Sequence, residues 1–154
     1  MAAYFFDTSA LVKRYARETG TAWVFSLVRP VAANRLYLTR ITGAEVVSAL
    51  TRRERAGRLG GSAATKALAR FEREFANRYA SVEVSAKLVS GAMKLARTYA
   101  LRGYDAVQLA AALEVHHLRS AAGAGNLILI CADDALNTAA VAEGLAVDNP
   151  NHHP

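Results

Sequence analysis

The sequence is 154 residues long, 53% hydrophobic and 21% charged, which predicts a globular chain with enough length to bury a sizeable core. Its longest strongly apolar run, Leu127 to Cys131, is far too short to span a bilayer, and Asp7 interrupts the stretch that a secretory signal would need. Lys and Arg exceed Asp and Glu by 19 to 13, and a lone Cys131 excludes an intrachain disulfide, so a cytoplasmic location is the expectation.

In chain order, Tyr4-Phe5-Phe6 reads as a buried strand ending at Asp7, with a helix starting near Thr8 or Ser9. A helix over about Thr21 to Leu27 and a short strand from Arg35 to Leu38 follow. Thr42 to Ala56 is helical, closed by Gly57 just past its end. Gly60-Gly61-Ser62 punctuates the chain, and Ser62 is placed to cap a long helix striped by Ala64, Leu68, Phe71, Phe75 and Tyr79. Val82-Glu83-Val84 reads as a strand, and Ser85 caps a helix striped by Leu88, Ala92, Leu95 and Tyr99. The next helix runs from near Asp105 to about Ser120. A small-residue loop over 121–126 leads into the strand Leu127 to Cys131. A helix from about Asp134 to Glu143 stops at Gly144, and Ala146-Val147 is a last short strand. This alternation, without repeats or a second core, predicts one α/β domain with a mostly parallel sheet.

In such a sheet a ligand site lies outside the carboxyl ends of the strands, where the following helices begin. Asp7 follows the first strand, and Asp133 and Asp134 follow Leu127 to Cys131. Glu45 and Asp105 sit in the first turns of their helices. Each acid also has a local explanation. Thr42-Gly-Ala-Glu45 matches a capping box, and Asp105-Ala-Val-Gln108 reads as an Asp cap with Gln at the third position. Asp133 and Asp134 suit the helix dipole they precede. Taken singly, capping is the better reading for Glu45 and Asp105, and for Asp7 the two readings balance.

Together the acids imply more. Carboxylates that converge on one sheet edge raise each other's pKa and are tolerable only beside a cation. Oxygen ligands without His or Cys select Mg²⁺, or Mn²⁺ in its place, over zinc. Such an ion lowers the pKa of a bound water and neutralises charge on a phosphate, the chemistry of phosphodiester hydrolysis. Charge supports a polyanionic partner. Nine basic residues against four acids fall between Arg40 and Ala80, with Arg52, Arg53 and Arg55 in a tight group. Arg offers phosphate a planar fork, although a solvated helix face with Glu–Arg pairs explains the same run. No membrane-binding face is evident.

Several pieces resemble the PIN-domain proteins of the VapC toxin family. Tyr4-Phe-Phe-Asp7-Thr8-Ser9-Ala-Leu-Val-Lys13 looks like their opening. Ala44-Glu45-Val-Val-Ser-Ala-Leu50, then a basic run and Gly57, resembles their second motif, and Tyr104-Asp105-Ala-Val-Gln-Leu-Ala-Ala-Ala-Leu113 their third. Ala132-Asp133-Asp134-Ala-Leu136, ahead of Glu143-Gly144-Leu145 and Asn149-Pro150, looks like the fourth. The resemblance implies a single-domain three-layer α/β/α sandwich over residues 1–150, leaving 151–154 as a mobile tail. It implies a magnesium-dependent endoribonuclease, the toxin of a toxin–antitoxin pair, cutting RNA such as tRNA or rRNA. Asp7 and Asp105 would be the principal metal ligands, with Glu45 and Asp133 completing the pocket. Ser9 would hydrogen-bond near the metal or its water, and Asp134 would be an auxiliary ligand or a helix-start residue. A cognate antitoxin and a homodimer are the implied partners. Position 108 is Gln where many members carry His, and lying beyond the acid it is expected to leave the metal untouched.

Other chemistries fit less well. His116 and His117 are adjacent on a helix, so they point about 100° apart and cannot share a metal as an i, i+4 pair would. His152 and His153 fall in the tail, Ser9 lacks a His–Asp context, and no Gly-rich run follows a phosphate-binding pattern. Trp23, Phe71, Phe75 and Tyr79 read as core or subunit interface, and Cys131 as a buried core thiol. A haloacid-dehalogenase-like phosphatase would want a second Asp where Ser9 stands, and a receiver domain an acidic pair ahead of its Asp. A non-catalytic RNA-binding or interaction module, and a nuclease acting on DNA, remain the alternatives.

Overall fold

The computed structural model describes all of residues 1–154. Five strands form one fully parallel sheet: β1 (Ala3–Phe6), β2 (Arg35–Thr39), β3 (Ala80–Val82), β4 (Leu127–Ile130) and β5 (Ala146–Asp148), in the order β3-β2-β1-β4-β5. The central pair, β1 and β4, is apolar along its whole length because both of its faces are covered. Ala3 and Phe5 enter one core while Phe6 enters the other, as the two-residue period of a strand requires. On the first face lie α5 (Ala86–Tyr99), α6 (Gly103–Ala121) and α7 (Asp134–Ala142). On the second lie α1 (Thr8–Leu11), α2 (Thr21–Val28), α3 (Thr42–Arg55) and α4 (Gly61–Asn77). The result is the expected three-layer α/β/α sandwich.

Local chemistry departs from expectation in three places. Helix α4 starts at Gly61 behind Gly60 with no side-chain cap, so Ser62 lies inside the helix and caps nothing. Strand β3 lies at Ala80–Val82, two residues earlier than Val82-Glu83-Val84, because Tyr37, Leu38 and Thr39 of β2 pair with Ala80, Ser81 and Val82. The C-terminal residues, expected to be mobile, form a 3-10 turn at Pro150–His152. His153 then stacks on Trp23 with ring centroids 4.0 Å apart and bonds Asp148 at 2.8 Å. Gly20, at φ +86, makes room for that turn, since a Cβ there would collide with the Pro150 carbonyl. Ser85 does cap α5, accepting the Leu88 N–H at 3.1 Å, and Gly57 and Gly144 adopt positive φ beyond α3 and α7. No helix is long and apolar enough to cross a membrane.

The topology fixes where chemistry can occur. From β1 the chain moves outward to β2 and β3, then returns to lay β4 against the other side of β1. Adjacent strands whose connections leave in opposite directions open a crevice at their carboxyl ends. Asp7 ends β1 at that crevice, and Cys131 to Asp133 end β4 beside it.

Candidate active site

Asp7 is 5% exposed, and its backbone N–H continues the sheet by donating to the Ile130 carbonyl at 3.0 Å. Its carboxylate is the N-cap of α1, accepting the Ser9 N–H at 3.0 Å and the Ser9 hydroxyl at 2.5 Å, both on Oδ2. The Cys131 thiol faces the same oxygen at 3.7 Å. Burial pushes the Asp7 carboxyl above its ordinary range, with the Ser9 bonds opposing it. Cys131 is the buried thiol expected from sequence: burial first, then the charge of Asp7, hold it protonated and inert.

Ser9 is more committed than expected. Besides donating to Asp7, its Oγ accepts the Ala132 backbone N–H at 3.0 Å, so one hydroxyl stitches the end of β1 to the end of β4. It acts on Asp7 directly.

The capping readings of Glu45 and Asp105 do not hold. Thr42 is the first residue of α3, its preceding residue Ile41 makes no side-chain cap bond, and Glu45 does not reach back to complete a box. Glu45 accepts instead from Gln108 Nε2 at 3.0 Å. Asp105 stands on the third residue of α6, behind the uncapped Arg102, and accepts no hydrogen bond. The true caps are Asp7 and Asp133, the latter accepting the Leu136 N–H on Oδ1 at 2.8 Å. Asp134 is exposed and pairs with the Asn149 amide at 3.1 Å, a fold contact between α7 and the segment after β5.

Electrostatics link the acids that α1, α3, α6 and α7 present. Burial raises the Glu45 carboxyl, and the charges of Asp7 and then Asp105 raise it further. Burial likewise raises Asp105, followed by the charges of Asp7 and Asp133. Each of these couplings requires proximity, so the four acids share one field centred on Asp7. No three of them stand arranged as a ready-made cage for an ion. Their donor chemistry nevertheless fits a hard cation: only oxygen is offered, Asp105 has no protein donor, and the mutual repulsion needs a positive charge to relieve it.

Gln108, expected to be remote, is 1% exposed and bonds Thr39, Thr42, Thr8 and Glu45. The signal was available in the spacing: Asp105 and Gln108 are three apart on α6 and therefore share a face. Tyr104 was also missed. It is 59% exposed and, with Thr8, Glu45, Ser48 and Arg52, lines a groove of about 480 Å³ beside the acids. An exposed aromatic next to an acid in a helix's first turn was the signal there. Of the three grouped arginines, Arg52 and Arg55 are exposed. Arg53 is tied to Glu18 at 2.5 Å, and Glu18 also takes the buried Lys13 at 3.1 Å.

Comparison with known proteins places the chain in a family and agrees with its fold. The PIN domain family model matches residues 4–141. Ribonuclease VapC45 and Ribonuclease VapC49, from two strains of Mycobacterium tuberculosis, are each 35% identical to the chain over 150 residues, covering 96% of it and 95% of their own length. Among solved structures, PAE2754 from Pyrobaculum aerophilum superposes with a TM-score of 0.59 at 20% identity, covering 96% of this chain and 92% of that one. VapBC2 from Rickettsia felis, bound to a DNA fragment from their promoter, gives a TM-score of 0.61 at 15% identity, covering 97% and 98%. These two likenesses speak to the fold.

Proposed function

The chain belongs to the PIN-domain family, in its VapC branch, and from that premise we propose that it is a metal-dependent endoribonuclease and the toxin of a toxin–antitoxin pair. The observation that carries the reading is the placement of Asp7, Glu45, Asp105 and Asp133 at four helix starts along the carboxyl edge of the sheet. Two near relatives bear the name ribonuclease, which supports the same reading.

In this reading Asp7, Asp105 and Glu45 hold Mg²⁺, with Asp133 closing the acidic pocket. When bound, such an ion would supply a water of lowered pKa and charge neutralisation at the scissile phosphate. The remaining work falls to the protein. Ser9 keeps Asp7 in one rotamer by donating to Oδ2, and the Cys131 side chain closes the apolar wall behind it. Arg52 lies where a phosphate flanking the cut would pass, and exposed Tyr104 offers a ring on which an unpaired base can stack. Arg55 adds charge farther along α3. An antitoxin that places an Arg against the acids would silence the site without metal, through bidentate pairing.

The test is cleavage of total RNA by the purified chain, with Mg²⁺ and with EDTA. Cleavage that stops in EDTA and returns with Mg²⁺ or Mn²⁺ supports the reading. Persistent cleavage in EDTA contradicts the metal, cleavage of DNA alone moves the substrate, and binding of RNA without cleavage leaves only a binding module.

A further inference from the structure

Gln108 enters from the second turn of α6 into a closed space between α1, β2 and α3, where four polar side chains surround its amide. Thr39 donates its hydroxyl to Gln108 Oε1 at 3.1 Å. Thr39 and Thr42 hydroxyls lie 2.9 Å apart, and Gln108 Nε2 donates to Thr42 Oγ1 at 2.9 Å. With the Thr39 proton committed to Oε1, the proton between the threonines must come from Thr42. The three side chains therefore close a ring in which each hydroxyl donates once and accepts once. The ring consumes one of the two amide protons. Glu45 Oε1, at 3.0 Å, is the nearer acceptor for the second, with Thr8 Oγ1 at 3.4 Å.

A flipped amide could keep the ring with both hydroxyls turned the other way, but it would set its oxygen against the Glu45 carboxylate. Glu45 therefore decides which way the amide points, and the amide presents an N–H to it. Both threonines are fully buried, so the ring that holds the amide in place is closed to water. Gln108 shares this carboxylate with the Thr8 hydroxyl, which also bonds Glu45.

We propose that Gln108 is a positioning residue of the acidic site: the Thr39–Thr42–Gln108 ring anchors the amide, and its remaining N–H holds the Glu45 carboxylate beside Asp7 and Asp105. The inference rests on the reading of these acids as a metal site. It goes further by assigning the support of Glu45 to a glutamine and two threonines that touch neither substrate nor metal. Partners of this kind orient the groups that bind an ion, and their loss costs on the order of 10- to 100-fold in affinity or activity.

Two variants test it, with the full chain and Mn²⁺ alone as the probe. Gln108→Met keeps the length and apolar volume of the stem but removes the amide, and Thr39→Val removes the hydroxyl that fixes Oε1 while leaving every acid in place. Titration calorimetry reads Mn²⁺ affinity, melting in EDTA reports whether each variant is folded, and steady-state cleavage separates kcat from KM for RNA. The expected result is Mn²⁺ binding about 10-fold or more weaker in Gln108→Met and several-fold weaker in Thr39→Val, with kcat lowered and KM for RNA held. Should Gln108→Met fail to fold, Thr39→Val decides. Wild-type Mn²⁺ affinity in the folded variants would overturn the positioning role and leave the nuclease reading standing. A wild-type chain that takes up no Mn²⁺ would overturn both.

Discussion

The Ser9 hydroxyl lies 2.5 Å from Asp7 Oδ2 and on its other side accepts the Ala132 backbone N–H at 3.0 Å. One oxygen thus holds the buried acid of β1 in its rotamer and pins the chain as it leaves β4. Removing it strands the Ala132 backbone donor and takes from Asp7 Oδ2 its shortest bond, leaving that oxygen the Ser9 N–H. Ser9→Ala is expected to destabilise the chain by about 1–3 kcal/mol. It is also expected to lower cleavage by about 10-fold or more, since Asp7 loses its guide. Denaturant unfolding alongside an RNase assay checks both, and a variant equal to wild type in each would mean that water takes over the role.

Asp7→Asn and Asp105→Asn are expected to lower cleavage by about 100-fold or more while leaving the chain folded. Asn caps a helix about as well as Asp, so the cap of α1 survives the first change, and Asp105 caps nothing in the second. Circular dichroism with an RNase assay separates the two effects. Near wild-type cleavage by either folded variant would remove that acid from the site.

Arg52 and Arg53 are neighbours in sequence but not in role. Arg52 is exposed along the groove, whereas Arg53 binds Glu18 and the Ala49 carbonyl. Arg52→Ala is expected to flatten the log–log salt dependence of RNA binding by roughly 0.7, the value for one single-strand phosphate contact. Arg53→Ala should leave that slope alone and instead cost about 1 kcal/mol of stability or less, as a partly exposed pair implies. Equal slopes for wild type and Arg52→Ala would return this arginine to a solvated face.

Acidity should also be visible in stability. The carboxyls of Asp7, Glu45 and Asp105 are raised, first by burial and then, for Glu45 and Asp105, by neighbouring acids. The folded chain therefore binds these protons more tightly than the unfolded one. Its stability from them is full below the ordinary values of 3.8 and 4.5, and is lost as pH rises through the raised ones. In EDTA, the melting temperature of Asp105→Asn minus that of wild type should grow as pH rises from about 4 to 7. A difference independent of pH would mean that Asp105 feels no neighbouring charge.

Much of this arrangement is legible in the residues. Short apolar runs ending in Asp, or followed by helices with an acid in the first turn, place the acids at one sheet edge. Periodicity also finds all five strands to within two residues. What local patterns misjudge is which acids cap. Thr42-Gly-Ala-Glu45 has the form of a capping box, yet the Thr42 hydroxyl is drawn into a buried bond with Gln108 from a helix more than sixty residues later. A tertiary partner in a dry pocket outcompetes a local one in water. Asp105 loses its expected cap because α6 begins two residues earlier, at Gly103. The contacts of the tail are likewise beyond what composition reads: the flat face of Trp23 and the Asp148 carboxylate give His153 two partners. Sequence spacing reports where a helix can start, not which distant side chain will claim its first polar group.

The central claim is that four acids from four helix starts form one metal site, and thermal melting with and without ions tests it most directly. An ion bound only by the folded chain stabilises it by RT ln(1 + [L]/Kd), about 2.7 kcal/mol at a hundredfold excess over Kd. For a chain of this size that corresponds to a rise of about 5–10 °C in melting temperature. Millimolar Mn²⁺ or Mg²⁺ is expected to produce such a rise in wild type and to lose most of it in Asp105→Asn, which should melt no lower than wild type in EDTA. A wild type indifferent to both ions, with Asp105→Asn destabilised in EDTA, would contradict a shared site and take the nuclease reading with it.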